Sequence, residues 1–367
     1  MKTTIAVLGL GLIGGSLAVA FKQQSEEYEV VGYNHNAPAV EEALARGIID
    51  RAAASVEEAC ADADVIFVCV PVRQIPNYCI LAAQSAKPGA IITDVGSTKE
   101  SIVAEVEAEV PEGVHFIGGH PMAGSERTGV SAANPALFKN VHYLLTPTER
   151  TDMVAYKKLH SMITSLGANV MAIDPVKHDH AVAVISHLPH MIAAVLMNLA
   201  SNEANATENL LLLAAGGFKD TTRIAAGSPR MWIDICLDNR DAIMYSIEKM
   251  SDMLETLQHM IEEEDKGRIT DLLERAQQAR LNLPSALGKG IGKLYELYVP
   301  VSDKPGVISD ITLTIGQLGI NIEDIEILHA TDVSGQVRLT IPEKENADRA
   351  AKALLDKGYE VDVRTQE

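Results

Sequence analysis

The first group in this chain able to move a proton is a histidine set among glycines. His120 stands in Gly118-Gly119-His120-Pro121-Met122-Ala123-Gly124-Ser125-Glu126. An imidazole titrates near neutrality and serves as a base or a strong hydrogen-bond acceptor. The stretch Asp94-Val95-Gly96-Ser97-Thr98-Lys99 adds two groups. The Ser97 hydroxyl would orient His120 or bond a substrate, and the Lys99 ammonium would serve a cofactor or a carboxylate. A helix start at Ser97-Thr98-Lys99-Glu100 is the competing reading. Glu126 fits a solvated or ion-paired surface residue equally well. Gly216-Gly217-Phe218-Lys219-Asp220-Thr221-Thr222-Arg223-Ile224 is a polar stretch opened by glycine. Arg223 has the forked donors that take a carboxylate, and Asp220 is placed to hold the guanidinium. An ordinary salt bridge is the alternative there. His178, His180, His187 and His190 do not have metal-ligand spacing: no cysteine is near and the nearest carboxylate is Asp179. No metal is expected. A buried histidine facing a substrate suits at least one of the four better.

These groups need a frame, and the N-terminus supplies it. Residues 4–8 are apolar and β-branched, and residues 12–21 read as a helix. Between them lies Gly9-Leu10-Gly11-Leu12-Ile13-Gly14-Gly15-Ser16. Such a strand–glycine turn–helix unit brings backbone close to a diphosphate and offers it the helix N-terminus. Gly9 permits the turn, Gly11 the approach and Gly14 the packing of helix on strand. Leu12 and Ile13 open that helix. The second strand ends at Tyr33-Asn34-His35-Asn36, without an acid or an arginine. Asn34 can bond a ribose hydroxyl, while the cation a 2′-phosphate needs is absent apart from His35, so NAD is the expected cofactor.

Further strands are predicted over 29–33, 64–70, 90–93, 115–117, 141–145 and 169–173, with helices over 37–46, 73–84 and 151–166. Residues 65–70 are almost wholly apolar, as in a parallel sheet covered on both faces. Ligands bind beyond the carboxyl ends of such strands. Four ends are candidates: Gly9 to Gly14, Val70 to Arg73, Asp94 to Lys99, and Gly118 to Gly124, which places His120 just past a strand. After Asp174-Pro175 the chain turns all-helical. Ile243, Ile247, Met250, Leu254, Leu257 and Ile261 form a helical stripe. From about residue 293 the predicted order is βαββαβ, a small ferredoxin-like module.

The expected architecture is therefore an α/β nucleotide-binding (Rossmann-like) domain over residues 1–173, an all-helical substrate and dimerisation domain over 174–290, and an α+β module over 293–367. The net charge of −19 argues against a nucleic-acid partner. Four cysteines without a CxxC pattern fit a reducing compartment. The apolar run 181–200 contains His187, Pro189 and His190, which suits a buried helix better than a membrane span. With a first strand at residue 3 or 4 there is no room for a signal peptide, so a cytoplasmic protein is expected. The apolar helices predict a homodimer.

The glycine motif, the Asp94–Lys99 segment, the run 119–126, Ile185-Ser186-His187-Leu188-Pro189-His190 and the segment 216–223 together resemble the prephenate dehydrogenase family of tyrosine biosynthesis. The resemblance implies oxidative decarboxylation of prephenate to 4-hydroxyphenylpyruvate with hydride transfer to NAD. It implies that His120 is the catalytic hydrogen-bond acceptor and that Ser97 is its partner. His190, Gly216, Asp220 and Arg223 would line the substrate, with Arg223 on a carboxylate. Gly9, Gly11, Leu12, Ile13, Gly14, Asn34, Val70, Arg73 and Lys99 would hold the cofactor. Asn34 stands where relatives often carry Asp. The tail, with Asp303-Lys304-Pro305-Gly306 and Gly319-Ile320-Asn321, resembles an ACT domain. That implies an effector, L-tyrosine by pathway logic, held near Asp303, Pro305, Gly306 and Asn321. The rival readings are an arogenate dehydrogenase, which acts on the amino-acid form of the same ring, a general β-hydroxy-acid dehydrogenase or imine reductase, and an NAD-binding sensor without turnover.

Overall fold

A computed structural model describes residues 2–124, 127–204, 209–283, 294–302, 304, 306–322, 324–329 and 334–365. The chain forms two compact units, residues 1–281 and 282–367.

The first unit opens with β1 (Thr3–Leu8), α1 (Leu12–Gln24) and β2 (Tyr28–Tyr33). Then come α2 (Ala37–Ala45), the short β3 (Arg51–Ala52), α3 (Val56–Cys60) and β4 (Val65–Val68). A 3-10 turn leads into α4 (Ile75–Ser85), followed by β5 (Ile91–Asp94), α5 (Glu100–Glu109) and β6 (His115–Pro121). The sheet finishes with β7 (His142–Thr146), α6 (Met153–Ser165) and β8 (Asn169–Ala172). Its order is β3-β2-β1-β4-β5-β6-β7-β8, parallel except where β6 meets β7. β1, β4 and β5 are central, and their apolar residues are buried on both faces. Leu17 and Phe21 of α1 pack with Val7, Phe67 and Ile117 on one side. Ile75, Cys79, Ile102 and Val106 pack with Leu8, Ile66 and Ile92 on the other. The order reverses between β1 and β4, and that switch point opens a crevice at the carboxyl edge.

Gly9 shows why the turn after β1 needs glycine. Its φ is +102°, and a Cβ there would run into the Cys69 carbonyl. At Gly14 a Cβ would meet the Gly9 carbonyl, so α1 could not close on the strand.

The helical part follows: α7 (Pro175–Val182), a π-turn over Ala183–His187, α8 (Leu188–Glu203), α9 (Gly216–Thr222), α10 (Pro229–Asp238), α11 (Arg240–Glu262) and α12 (Lys266–Leu281). Asp174 caps α7 by accepting the Lys177 N–H at 3.0 Å. Pro189 follows directly on the π-turn inside this continuous helical run, where it withholds one N–H from the turn before it. The run Pro175–Glu203 is long and apolar enough to cross a membrane by length and composition. It buries the polar side chains of His178, Asp179, His187 and His190 among protein groups.

The second unit is β9 (Leu294–Ser302), α13 (Val307–Gly316), β10 (Asp324–His329), β11 (Ser334–Pro342), α14 (Lys344–Asp356) and β12 (Asp362–Thr365). Its sheet runs β10-β11-β9-β12, antiparallel throughout. Leu297 and Val299 face Leu339 and Val337 in register. Together with Ile311 and Ile315 of α13 and Ala347, Ala350 and Leu354 of α14 they make one core.

Candidate active site

His120 does not follow a strand, as its glycine setting suggested; it lies within one. β6 continues through Gly118 and Gly119, and His120 pairs with Leu144 of β7. The two glycines are packing requirements rather than a loop. A Cβ at Gly118 would strike Thr146 Oγ1, and one at Gly119 would strike the Asp94 carbonyl and Thr93 Oγ1. His120 is therefore held by sheet hydrogen bonds, which aim a side chain more firmly than a loop does.

The ring of His120 is engaged by a second histidine. His120 Nδ1 lies 2.8 Å from His178 Nε2, and the rings meet edge to face. His178 Nδ1 in turn lies 2.7 Å from Asp179 Oδ1. Asp179 also accepts the backbone N–H groups of Lys99 (2.7 Å) and Glu100 (2.9 Å), the two residues at the start of α5. A carboxylate from the helical part thus caps a helix of the nucleotide part, where the helix dipole favours negative charge. Asp238 binds the same turn, through Thr98 Oγ1 and, at 3.0 Å, through Ser101 Oγ. Ser97 is not the cap of α5. It sits half-buried on the loop after β5, and among the described residues it makes no hydrogen bond to His120.

Burial, followed by the nearby His178, Lys99 and His187, pushes His120 well below the usual histidine pKa of 6.5. The imidazole is neutral at pH 7 and able to accept a proton.

Lys99, expected at the cofactor, is turned into the protein. Its side chain has no exposed surface, and its Nζ pairs with Asp94, which is equally buried. Asp94 also accepts Gly96 N–H at 2.8 Å and Gly119 N–H at 3.1 Å. A buried ammonium needs a charged partner, and Asp94 at the end of β5 supplies it.

The cofactor positions lie at the switch point. The N-terminus of α1 has no side-chain cap and no acidic residue in its first turn. A Cβ at Gly11 would meet nothing within 4 Å. Free N–H groups beside open space fit a diphosphate. Leu12 and Ile13 begin α1, Asn34 follows β2, Val70 follows β4, and Arg73 is exposed on the next turn. The Asn34 side-chain oxygen accepts the Asn36 N–H at 3.2 Å, which leaves its amide N–H₂ to donate.

On the helical side, His190 stacks on Trp232 at 3.6 Å and 14°. His187 meets the same indole edge to face at 6.0 Å. Asn239 Nδ2 donates to the Asp179 carbonyl (2.9 Å) and to His187 Nδ1 (3.1 Å). An amide nitrogen only donates, so His187 carries its proton on Nε2. Burial pushes His187 down to about 4. His180 lies apart, against Tyr245. Gly216 opens α9, while Asp220 and Arg223 are both exposed and, among the described residues, form no ion pair with one another, so Asp220 does not hold the guanidinium. Ser125 and Glu126 lie outside the described residues, as do Asp303 and Pro305.

Sequence reasoning missed the roles of His178, Asp179, Trp232 and Asn239. The adjacent His-Asp pair and the single tryptophan of the chain were the available signals.

Residues 17–172 match the family described as prephenate dehydrogenase, nucleotide-binding domain, and residues 174–275 match prephenate dehydrogenase, dimerization domain. The chain belongs to the prephenate dehydrogenase family. The prephenate dehydrogenase of Bacillus subtilis is 36% identical over 356 residues, covering 96% of each chain. The cyclohexadienyl dehydrogenase of Zymomonas mobilis is 32% identical and covers 76% of this chain and 95% of its own. The A. aeolicus prephenate dehydrogenase, solved with hydroxyphenyl propionate and NAD+, is 30% identical with a TM-score of 0.72. It covers 77% of this chain and 99% of its own. The Synechocystis arogenate dehydrogenase is 32% identical with a TM-score of 0.69, over 76% of this chain and 99% of its own. In this prephenate dehydrogenase family member the carboxyl ends of β4, β5 and β6 fall in the part matched to a nucleotide-binding domain, and the Gly9–Gly14 turn lies just ahead of that match. The His187–Trp232–His190 cluster falls in the dimerization part.

Proposed function

We propose that the chain oxidises prephenate to 4-hydroxyphenylpyruvate, with His120 accepting the hydroxyl proton. The observation that carries this is a neutral, strand-held imidazole beside the carboxyl edge of the sheet. Bound NAD supplies the hydride acceptor for C4 of the substrate. The α1 N-terminus, Gly9, Gly11, Leu12, Ile13 and Gly14 would hold its diphosphate, Asn34 a ribose hydroxyl, and Val70 and Arg73 the rim. His120 Nε2 takes the hydroxyl proton as C4 becomes a carbonyl. His120 then returns it to the ring oxygen as the C1 carboxylate leaves as carbon dioxide, so the enzyme ends each cycle neutral. Ser97 bonds the same hydroxyl. Arg223 binds a substrate carboxylate, and His190 with Gly216 and Asp220 borders the pocket. That use of binding energy orients the ring for transfer.

The Synechocystis relative named arogenate dehydrogenase favours a second reading, arogenate as substrate. The division at residues 173 and 174 and at about 290 is our reading of the domains. The helical domain joins two copies: Val184, Ile185, Val195, Ile233 and Leu254 are more than half exposed in one chain. The tail is an ACT-like, ferredoxin-like module, supported by its βαββαβ order and its strand order. Gly306, at φ +92°, starts α13, and with Asp303, Pro305 and Asn321 it would meet an amino-acid effector such as L-tyrosine. The free state of all four cysteines suits a cytoplasmic enzyme. One assay tests these points together: turnover of prephenate and of arogenate with NAD, with tyrosine titrated in, on the full chain and on a chain ending near residue 290. Turnover of prephenate with tyrosine inhibition only in the full chain is expected. Turnover of neither substrate overturns the reading.

A further inference from the structure

We infer that Asp179, acting through His178, fixes His120 in the tautomer whose Nε2 carries the free lone pair. This rests on the reading of His120 as the proton acceptor. Asp179 is a positioning residue, since it touches no reacting atom.

The inference follows from the hydrogen-bond chain. The Asp179 side-chain oxygens already accept two backbone N–H groups at the start of α5, so the carboxylate acts as an acceptor there. His178 Nδ1, 2.7 Å from Oδ1, must then be the protonated nitrogen of that ring. His178 is fully buried beside the N-terminal turn of α5, where the dipole is positive. A ring with one proton carries it on Nδ1, facing the carboxylate, and its Nε2 keeps the lone pair. That lone pair accepts from His120 Nδ1–H at 2.8 Å. The remaining nitrogen of His120, Nε2, is left unprotonated. Among the described residues, the other charged or titratable groups acting on the pair are Lys99 with its partner Asp94, and His187, whose Nδ1 accepts from Asn239. None of them bonds His120 or His178. When Nε2 takes a proton, the charge stays on His120, whose Nδ1–H goes on donating to His178. No proton passes to Asp179.

The arrangement also explains why the acid comes from the helical part. The same carboxylate that sets the tautomer holds α5 and, through the Asp179 carbonyl and Asn239, the His187 ring. Docking of the helical part and orientation of His120 are one event.

The test is long-range ¹H–¹⁵N correlation of the histidine side chains in the full-length protein at pH 7.5, with peaks assigned from His120→Asn and His178→Asn. Wild type should show Nδ1–H tautomers for both His120 and His178. In Asp179→Asn the side-chain amide can donate to His178 Nδ1, so both rings should shift towards Nε2–H. With prephenate and NAD, kcat should fall at least tenfold while KM stays within threefold. An Nε2–H tautomer of His120 in wild type overturns the inference and needs no variant to fold. Unchanged tautomers in a folded Asp179→Ala protein, which offers His178 no acceptor at all, also overturn it, whatever happens to kcat. Absence of wild-type turnover with either ring substrate removes the functional reading instead, and the wild-type spectrum still decides the tautomer.

Discussion

Asp94 joins Lys99 to the strand that carries His120: one of its oxygens pairs with the buried Lys99 ammonium and the other accepts the Gly119 N–H at 3.1 Å. The ion pair is thus a support for the strand that carries His120. Removing one partner leaves an uncompensated buried charge, which costs about 3–5 kcal/mol. Lys99→Met should lower the urea unfolding free energy by about that amount and leave NAD affinity in the folded fraction within threefold. Unchanged stability with lost NAD affinity would put Lys99 at the cofactor after all.

Gly11 offers a separate test of the diphosphate site. Its backbone is at φ −93°, which any residue adopts, and the space around a Cβ is open. Gly11→Ala should therefore melt within a few degrees of wild type yet bind NAD at least tenfold more weakly, because the methyl occupies the approach of the phosphates. Calorimetry of binding decides it. Equal affinity would move the cofactor away from this turn.

The fold was largely legible in the sequence where one physical cause dominated. Val65-Ile66-Phe67-Val68 could only be a strand covered on both faces, and the glycine motif could only join β1 to α1. The long apolar stripe of residues 243–261 gave α11 directly. The site was less legible, because its contacts join distant parts of the chain. Gly118 and Gly119 looked like a turn, yet they are glycines because Thr146 and Asp94 leave no room for a side chain. Lys99 looked available, yet a partner five residues earlier draws it inward. Nothing local says that Asp179 will reach α5, since the two are 79 to 80 residues apart. Such pairings are tertiary, and spacing along the chain does not encode them.

The pH dependence follows from the lowered pKa of His120, caused first by burial and then by His178, Lys99 and His187. In the proposed mechanism the active form is the unprotonated ring. Its folded pKa lies below 6.5, so activity is present at neutrality and is lost only as pH falls through the lowered value. A plot of log kcat/KM against pH should stay flat from 7.5 to below 6.5 and then descend. The unfolded chain takes up a proton at about the ordinary value while the folded protein does not. Stability should therefore begin to decline as pH falls through about 6.5, ahead of the loss of activity, and go on declining to the lowered value. A break in the rate profile at or above pH 6.5 would contradict the assignment.

The exposed apolar side chains of the helical part call for a second copy. Ile185, Ile233 and Leu254 are 67%, 59% and 55% exposed in one chain, and Leu212 is 80% exposed. A single helical layer has no reason to leave so much apolar surface in water. Sedimentation equilibrium at micromolar concentration should give twice the chain mass of 39.4 kDa. A mass equal to one chain would reject the dimer.

The central claim, that His120 is the group that accepts the substrate proton, is tested most directly by the steady-state kinetics of His120→Asn. Asparagine keeps a polar side chain on the strand but cannot take a proton at neutral pH. The variant should fold, bind NAD with unchanged affinity and lose about 10²–10⁴ in kcat/KM for prephenate. A loss of less than tenfold in a folded, NAD-binding variant would contradict the account.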